Sequence, residues 1–351
     1  MELKPYQQKV IEDLERFLEC ANRYDLRQAF RAFWDDAGAT GMAEYQNNVP
    51  RTPHVCMKVP TAGGKTFIAA NALRPLFENF ALFNPGLPKV VIWLVPSLTI
   101  LDQTYKNLND PHHPYRIKLN THFNARVAVY RKDEVLQGAG FNADAVREQL
   151  TIIVLSYDSL RARNKEDRKI FQENGYLAGF AIGMDKSTQL GDYDETALIN
   201  VLRSLQPVLV VDESRNAETE LSVEMLRNLN PRFILDLTAT PRKNSNIISF
   251  VDASQLKREN MVKLPVIVHN QKDKTEVLQS ALNLQRGLEA MAKAEEKQTG
   301  KYIRPIVLFQ AQPRVGEENT TFERIKKAGR SGHSRRTDQD QNRRHQRTEG
   351  R

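Results

Sequence analysis

The chain has little of several features that define common protein classes. Its 351 residues include only two cysteines, Cys20 and Cys56, which are too few for a disulfide framework and lack metal-ligand spacing. There is no signal peptide and no apolar run long enough to cross a membrane. No internal repeat is visible. We therefore expect a cytoplasmic protein with no membrane segment.

The sequence does have enough apolar residues to build a core, and it carries an excess of positive charge. Hydrophobic residues make up 40% of the chain, and its length predicts at least two domains. The net charge is +8 and the pI is near 9.3, which favours anionic partners, nucleic acid first. The charge is uneven, because residues 328–351 hold seven arginines against three acidic residues.

Residues 59–66, which read Val-Pro-Thr-Ala-Gly-Gly-Lys-Thr, organise the rest of the pattern. They follow a short apolar run at residues 54–59 and precede a helical pattern with an apolar face at Phe67, Ala70, Leu73 and Phe77. Strand, glycine-rich turn and helix form the context in which a phosphate-binding loop makes physical sense.

Each residue type in this loop suits a phosphate. Gly63 and Gly64 let backbone N–H groups approach and surround the β-phosphate. Lys65 can reach the β- and γ-oxygens, and the Thr66 hydroxyl can hold Mg²⁺. The full pattern has glycine where this chain has Val59. The alternative is a glycine turn that caps an ordinary helix.

A second stretch supports the nucleotide interpretation. Residues 208–211 form an apolar run typical of a buried strand, and Asp212 and Glu213 follow it directly. Ligands in open α/β sheets bind at strand carboxyl ends. There Asp212 can hold Mg²⁺ and Glu213 can orient the attacking water. A solvated acidic loop is the alternative.

Near the amino terminus, residues 3–19 predict an amphipathic helix, and Gln7 lies at its start. An amide both donates and accepts hydrogen bonds, so Gln7 could read the edge of an adenine ring. A surface amide near a helix start is the alternative.

Polar side chains also follow three further predicted strands, at residues 89–95, 151–155 and 233–237. The side chains after the first of these strands could contact nucleic-acid phosphates, and those after the last could relay the nucleotide state to a nucleic-acid groove. Ordinary loop packing and turn capping are the alternatives. The residues concerned are Ser97, Gln103, Ser156, Thr238 and Thr240.

The chain therefore has five predicted strands with helical or long connections between them. This pattern predicts an α/β fold, a parallel sheet with helices on both faces.

Taken together, these residues resemble the helicase-like ATPases of superfamily 2. The matches are Gln7 for the Q motif, residues 60–66 for motif I, Ser97 with Gln103 for motif Ia, Ser156 near motif Ib, residues 212–214 for motif II and residues 238–240 for motif III. The closer wording, Pro-Thr-Ala-Gly-Gly-Lys-Thr with a later Asp-Glu-Ser, looks like the restriction (Res) subunit of type III restriction–modification systems. The resemblance covers about residues 1–315.

The resemblance implies a RecA-like P-loop NTPase that uses ATP and Mg²⁺ to move on double-stranded DNA beside a methyltransferase subunit. The implied catalytic residues are Lys65, Asp212 and Glu213, with Thr66 and Asp212 as Mg²⁺ ligands. The remaining implied nucleotide contacts are Gln7, Thr61, Ala62, Gly63 and Gly64. Coupling to DNA would involve Ser97, Gln103, Ser156, Arg215, Thr238 and Thr240.

The sequence departs from the family in three respects. Arg215 stands where motif II normally ends in His, which puts coupling and hydrolysis in doubt. A motor domain is predicted for residues 1–250, and a second RecA-like domain starts at 251–327 but is incomplete, with strands at 265–269 and 304–310 around a helix at 275–297. We expect no nuclease domain in this chain.

The third departure is the tail. Residues 328–351 predict a disordered basic segment, since their only apolar residue is Ala328. With suitable codons, the neighbouring reading frame would give a strand-like alternation there, so a frameshift is one explanation. We expect an ATPase that is impaired by truncation. A non-catalytic ATP- or DNA-binding remnant and another superfamily 2 helicase that acts on RNA are the alternatives.

Overall fold

The computed structural model describes residues 1–39, 41–138, 140–160, 169–191, 193–212, 220–261 and 274–308. The chain divides into two compact units, Met1–Lys263 and Leu264–Arg351. The sequence predicts a boundary between 250 and 251, whereas Val251 and Leu256 belong to a core cluster of the first unit. The predicted tail at 328–351 lies outside the described residues.

The first unit is built on one sheet whose strand pairings are all parallel. The strand order is β3-β4-β2-β5-β6-β1-β7. The parallel sheet predicted from the sequence is therefore confirmed. The strands are β1 (His54–Lys58), β2 (Lys89–Val95), β3 (Val127–Arg131), β4 (Leu150–Ser156), β5 (Val208–Asp212), β6 (Phe233–Thr238) and β7 (Ile247–Phe250).

Helices connect these strands, and several begin at side chains that cap them. The Asp25 carboxylate accepts from the N–H groups of Arg27 and Gln28 at the start of α2, as expected of a helix N-cap. The helices are α1 (Pro5–Arg23), α2 (Leu26–Asp36), α3 (Lys65–Phe83), α4 (Leu98–Asn109), α5 (Pro114–His122), α6 (Lys132–Leu136), α7 (Ala145–Glu148), α8 (Ala178–Ala181), α9 (Leu198–Ser204), α10 (Glu220–Asn228) and α11 (Ala253–Arg258), with α12 (Lys274–Thr299) in the second unit.

The sheet is buried on both faces because successive side chains of a strand point in opposite directions. In β2, Val91 and Trp93 join the core cluster that includes α1 and α3, whereas Ile92 and Leu94 join the cluster on the other face with α9. Fully burying one such apolar side chain is worth about 1.5–3 kcal/mol. Helices on both faces, as predicted, therefore hold the sheet rigid beneath its carboxyl edge.

Two strands were not predicted, and both lie at the edges of the sheet. β3 ends the strand order on one side and β7 ends it on the other. Both are short, and their burial alternates or is incomplete. An edge strand packs against fewer neighbours, so it needs fewer apolar residues and gives a weaker sequence signal.

In the second unit, the predicted helix at 275–297 is confirmed by α12. The strand predicted at 304–310 is wrong for residues 304–308, which form no strand. A strand needs a partner for its backbone N–H and C=O groups, and the described part of this unit, residues 274–308, contains one helix and no strand. The strand predicted at 265–269 lies outside the described residues.

Candidate functional site

The carboxyl ends of the strands bring the predicted site residues to one edge of the sheet. β6 lies between β1 and β5, with Thr238 paired to Lys58 and Leu237 paired to Asp212. β2 and then β4 follow on the other side of β5. Because these strands are parallel, the segments that leave them meet at the same edge, where open α/β sheets bind ligands.

The loop after β1 is a tight turn joined to β6. The Gly63 N–H donates to the Pro60 carbonyl at 3.0 Å, and the Val59 N–H donates to the Thr238 carbonyl at 3.0 Å. Ala62 has a φ of +67°, a conformation that costs a non-glycine residue about 1–2 kcal/mol. Local strain of this kind occurs at ligand-binding turns.

Helix α3 begins as the turn ends, and its first amides face out of the helix end. The first backbone hydrogen bond of the helical type runs from the Ile68 N–H to the Gly64 carbonyl at 3.0 Å. Lys65 and Thr66 lie in the first turn and are half-buried. The positive end of the helix dipole thus coincides with the only lysine of the loop.

Both glycines of the loop are required by close neighbours. A Cβ on Gly63 would lie 2.6 Å from Val59 Cγ1 and 3.0 Å from the Pro60 carbonyl oxygen. A Cβ on Gly64, which has a φ of +77°, would lie 2.5 Å from Gln7 Nε2. Val59 is completely buried, so it fills the core beneath the turn, which accounts for the departure from glycine at that position.

Gln7 lies against this loop. Its Nε2 donates to the Gly63 carbonyl at 3.1 Å, and its Oε1 accepts from the Lys4 N–H at 2.9 Å. Only 4% of the residue is exposed. The amide therefore contacts the phosphate loop. Its role in reading adenine stays a prediction.

Asp212 is the last residue of β5 and is half-buried. The Tyr157 hydroxyl donates to its backbone carbonyl at 3.3 Å. This contact ties the end of β4 to the end of β5. Glu213, the predicted water-orienting residue, lies outside the described residues.

Thr66 and Asp212 are suited to hold Mg²⁺. Burial raises the pKa of Tyr115, and the negative charge of Asp212 raises this pKa further. Tyr115 stacks on Phe67, with ring centroids 5.8 Å apart, and Phe67 follows Thr66 in α3. Tyr115 thus packs against the residue after Thr66 and feels the charge of Asp212. Hydroxyl and carboxylate oxygens are ligands that Mg²⁺ accepts, so the chemistry of each side chain suits this cation, and their role as its ligands stays a prediction.

Among the predicted coupling residues, Ser97 and Gln103 are exposed on α4. Ser97 is the N-cap of that helix, and its hydroxyl accepts from the Ile100 N–H at 3.4 Å. Ser156 differs, because it is buried and its Oγ lies 3.0 Å from Ser159 Oγ.

Thr238 and Thr240 lie at the end of β6. The Thr240 N–H donates to Thr238 Oγ1 at 3.1 Å, so the Thr238 side chain caps the turn. Thr238 is completely buried and Thr240 is exposed. This turn follows β6, which lies between β1 and β5. A residue that relays the nucleotide state to nucleic acid would have to lie at such a position. Arg215 lies outside the described residues.

Three tyrosines at this edge were not predicted. Tyr6 donates its hydroxyl to the Gly63 carbonyl at 2.9 Å, Tyr157 donates to the Asp212 carbonyl, and Tyr115 stacks on Phe67. Their positions depend on tertiary contacts, so spacing alone does not identify them. The position of Tyr6 directly before Gln7 is the one sequence feature that could have identified it as a site residue.

Two kinds of site are absent from the described part of the chain. No group of three or more His, Cys, Asp or Glu side chains there could hold a metal ion. No helix there is long and apolar enough to span a membrane.

The family model described as "Type III restriction enzyme, res subunit" matches residues 1–243. The chain belongs to this family. The family resemblance inferred from the sequence motifs is thereby confirmed, and the res-subunit match supports an ATPase of the helicase-like kind. No curated protein matches the chain.

Solved structures with low sequence identity are also similar. One is the Sulfolobus solfataricus SWI2/SNF2 ATPase core in complex with dsDNA, at 15% identity over 69% of this chain and 32% of that chain, with a TM-score of 0.31. Another is T4 UvsW, at 13% identity over 77% of this chain and 49% of that chain, with a TM-score of 0.27. This res-family chain thus spans less than half of the length of either.

Proposed function

We propose that this chain is the ATP-driven motor of a type III restriction enzyme, which binds ATP with Mg²⁺ and hydrolyses it when double-stranded DNA is bound. The observation that carries the proposal is the meeting of the phosphate loop and Asp212 at one sheet edge. β6 lies between their strands and is hydrogen-bonded to the loop through the Thr238 carbonyl.

Different residues at this edge have different roles in binding and hydrolysing ATP. Lys65 and the first amides of α3 bind the β- and γ-phosphates. Thr66 and Asp212 hold Mg²⁺, which neutralises charge on the phosphate oxygens. Glu213, next in sequence to Asp212, orients the attacking water. Gln7 contacts the adenine while its Nε2 stays on the loop.

DNA is the proposed track because the polar residues of α4 and of the turn after β6 are presented outward. Ser97, Gln103 and Thr240 are exposed near the nucleotide edge, where hydroxyl and amide groups can contact phosphate oxygens. The net charge of +8 also favours a polyanion. A methyltransferase subunit is the proposed partner, as the resemblance to type III restriction subunits implies.

Turnover is proposed to be slow. Arg215 brings a fixed positive charge to the position after the acidic pair, where the family resemblance implies a histidine. An arginine close to Asp212 and Glu213 would compete with the cation for their carboxylates. Nucleotide binding depends on Lys65 and the loop amides, so it is affected less.

The test is ATP turnover by the purified chain with no nucleic acid, with duplex DNA and with duplex RNA. Duplex DNA is expected to stimulate phosphate release most, and Asp212→Asn is expected to remove the stimulated activity. Greater stimulation by RNA would instead identify a helicase that acts on RNA. ATP binding without turnover under any condition would identify a non-catalytic remnant.

A further inference from the structure

The Gly63 carbonyl receives two hydrogen bonds from the first turn of α1. The Tyr6 hydroxyl donates to it at 2.9 Å and Gln7 Nε2 donates at 3.1 Å. Both side chains are 4% exposed, so water does not compete for the carbonyl. The hydroxyl is protonated at neutral pH, and burial raises the pKa of Tyr6 further above its usual value of 10.0, so it remains able to donate.

This contact fixes the peptide between Gly63 and Gly64. The chain has no cis peptide among the described residues, and in a planar trans peptide the C=O and N–H groups point to opposite sides. Since the Gly63 carbonyl points towards α1, the Gly64 N–H points away from it. No hydrogen bond from this N–H is formed within the part of the chain that the structure describes.

The helix that carries Tyr6 is itself anchored to the sheet. Asp13, two turns further along α1, accepts from the Ser249 hydroxyl of β7 at 2.8 Å, and both side chains are buried. Lys4 at the helix start pairs with Glu259 at 3.6 Å. Tyr6 therefore acts from a rigid support, with only two side-chain torsions of its own to restrict.

We propose that Tyr6 is a positioning residue for the phosphate loop: by holding the Gly63 carbonyl, its hydroxyl turns the Gly64 N–H towards the bound phosphates. The inference rests on the proposed nucleotide site and deepens it, since it assigns a function to a residue outside the motifs. The part of the ligand that this contact affects is the polyphosphate chain and not the base.

The test compares Tyr6→Phe with Tyr45→Phe. Tyr45 is a matched control, because it is equally buried and its hydroxyl also donates to a backbone carbonyl, that of Thr52 at 3.4 Å. It lies before β1, at the other end of the strand. The probes are Mg²⁺–ATP and inorganic tripolyphosphate, titrated into each purified chain.

Tyr6→Phe is expected to lower the affinity for both probes by the same factor, roughly three- to tenfold, as for the loss of one hydrogen bond. Tyr45→Phe is expected to leave both affinities unchanged. With ¹⁵N-labelled glycine, the Gly64 amide signal should move in Tyr6→Phe, and its further shift on addition of tripolyphosphate should shrink. A purely structural role would lower the melting temperature without this effect on one amide.

Two results would overturn the inference and leave the proposed function standing: unchanged tripolyphosphate affinity in Tyr6→Phe, or equal losses in the two tyrosine variants. If unchanged tripolyphosphate affinity came with a loss of ATP affinity, the contact would serve the base. A wild-type chain that binds neither probe would overturn the proposed function, and the inference with it.

Discussion

The two ends of β1 use the same kinds of side chain for opposite purposes. At the amino end, Tyr45, Thr52 and Asn246 bind backbone groups around the strand start, and His54 Nε2 lies 2.9 Å from Asp236 Oδ2. These polar groups are buried and are bonded to other parts of the chain.

At the carboxyl end, Tyr6 and Gln7 are equally buried and also bind a backbone carbonyl. Here, however, the hydrogen bonds orient a loop whose Thr61 and Ala62 are exposed and whose φ values at Ala62 and Gly64 are positive. We propose from this difference that the amino end serves stability and the carboxyl end serves a ligand. Substitutions at the two ends should separate these properties.

The largest expected effect on stability is at the amino end. His54→Ala would leave the buried Asp236 carboxyl group without its partner, which should lower the free energy of unfolding by about 3 kcal/mol. The exposed His112 offers a control, and His112→Ala should change stability by less than about 0.5 kcal/mol. Urea unfolding measures both.

The same His54→Ala protein should still bind Mg²⁺–ATP within about twofold of wild type, under conditions where it is folded. If it lost nucleotide affinity as well, the two ends of β1 would not be independent and the comparison would fail.

The next effect is at the carboxyl end. Gly64→Ala places a Cβ at a φ of +77° and 2.5 Å from Gln7 Nε2, so stability should fall by about 1–2 kcal/mol. Mg²⁺–ATP affinity should fall more than tenfold, because the loop peptide must rotate. Gly179→Ala is the control, since a Cβ there meets nothing within 4 Å.

Adding Gln7→Ala to Gly64→Ala sharpens this prediction. Removal of the amide relieves the clash but not the positive φ, so only part of the lost stability should return. Complete recovery of stability would mean that alanine adopts the positive φ of Gly64 without a free-energy cost.

The smallest effect concerns pH. Burial lowers the pKa of His122 from 6.5, and the charges of Arg74 and Lys118 lower it further. A histidine whose pKa is lower in the folded state contributes stability above about pH 6.5, and that contribution is lost as pH falls through the folded pKa. Thermal unfolding of His122→Gln should therefore vary less between pH 6.5 and 5 than that of wild type. An unchanged slope would assign the acid sensitivity to other groups.

Much of the fold followed from the sequence because central strands are buried on both faces. β2 and β5 read as uninterrupted apolar runs, and their predicted bounds agree with the structure to within one residue. β3 and β7 were missed since edge strands carry a weaker apolar pattern. The strand predicted at 304–310 is wrong for residues 304–308, because an apolar run does not by itself supply a pairing partner.

The candidate site was predictable where a local motif determines geometry, as in the turn and helix start around Gly64 and Lys65. The tyrosines were not, because Tyr6 reaches Gly63 across 57 sequence positions. Such contacts depend on how α1 packs on the sheet, which no short motif specifies.

The central claim is that Lys65 contacts bound phosphates, and the affinity of the chain for Mg²⁺–ATP tests it most directly. Lys65→Ala is compared with Lys58→Ala, which removes the same charge from the end of β1, where Lys58 Nζ lies 4.5 Å from the Phe250 ring centroid. Loss of a charged hydrogen bond should weaken binding by roughly tenfold to a hundredfold in Lys65→Ala, and by less than about threefold in Lys58→Ala. Equal affinities in the two variants would contradict the assignment of this loop as a nucleotide site.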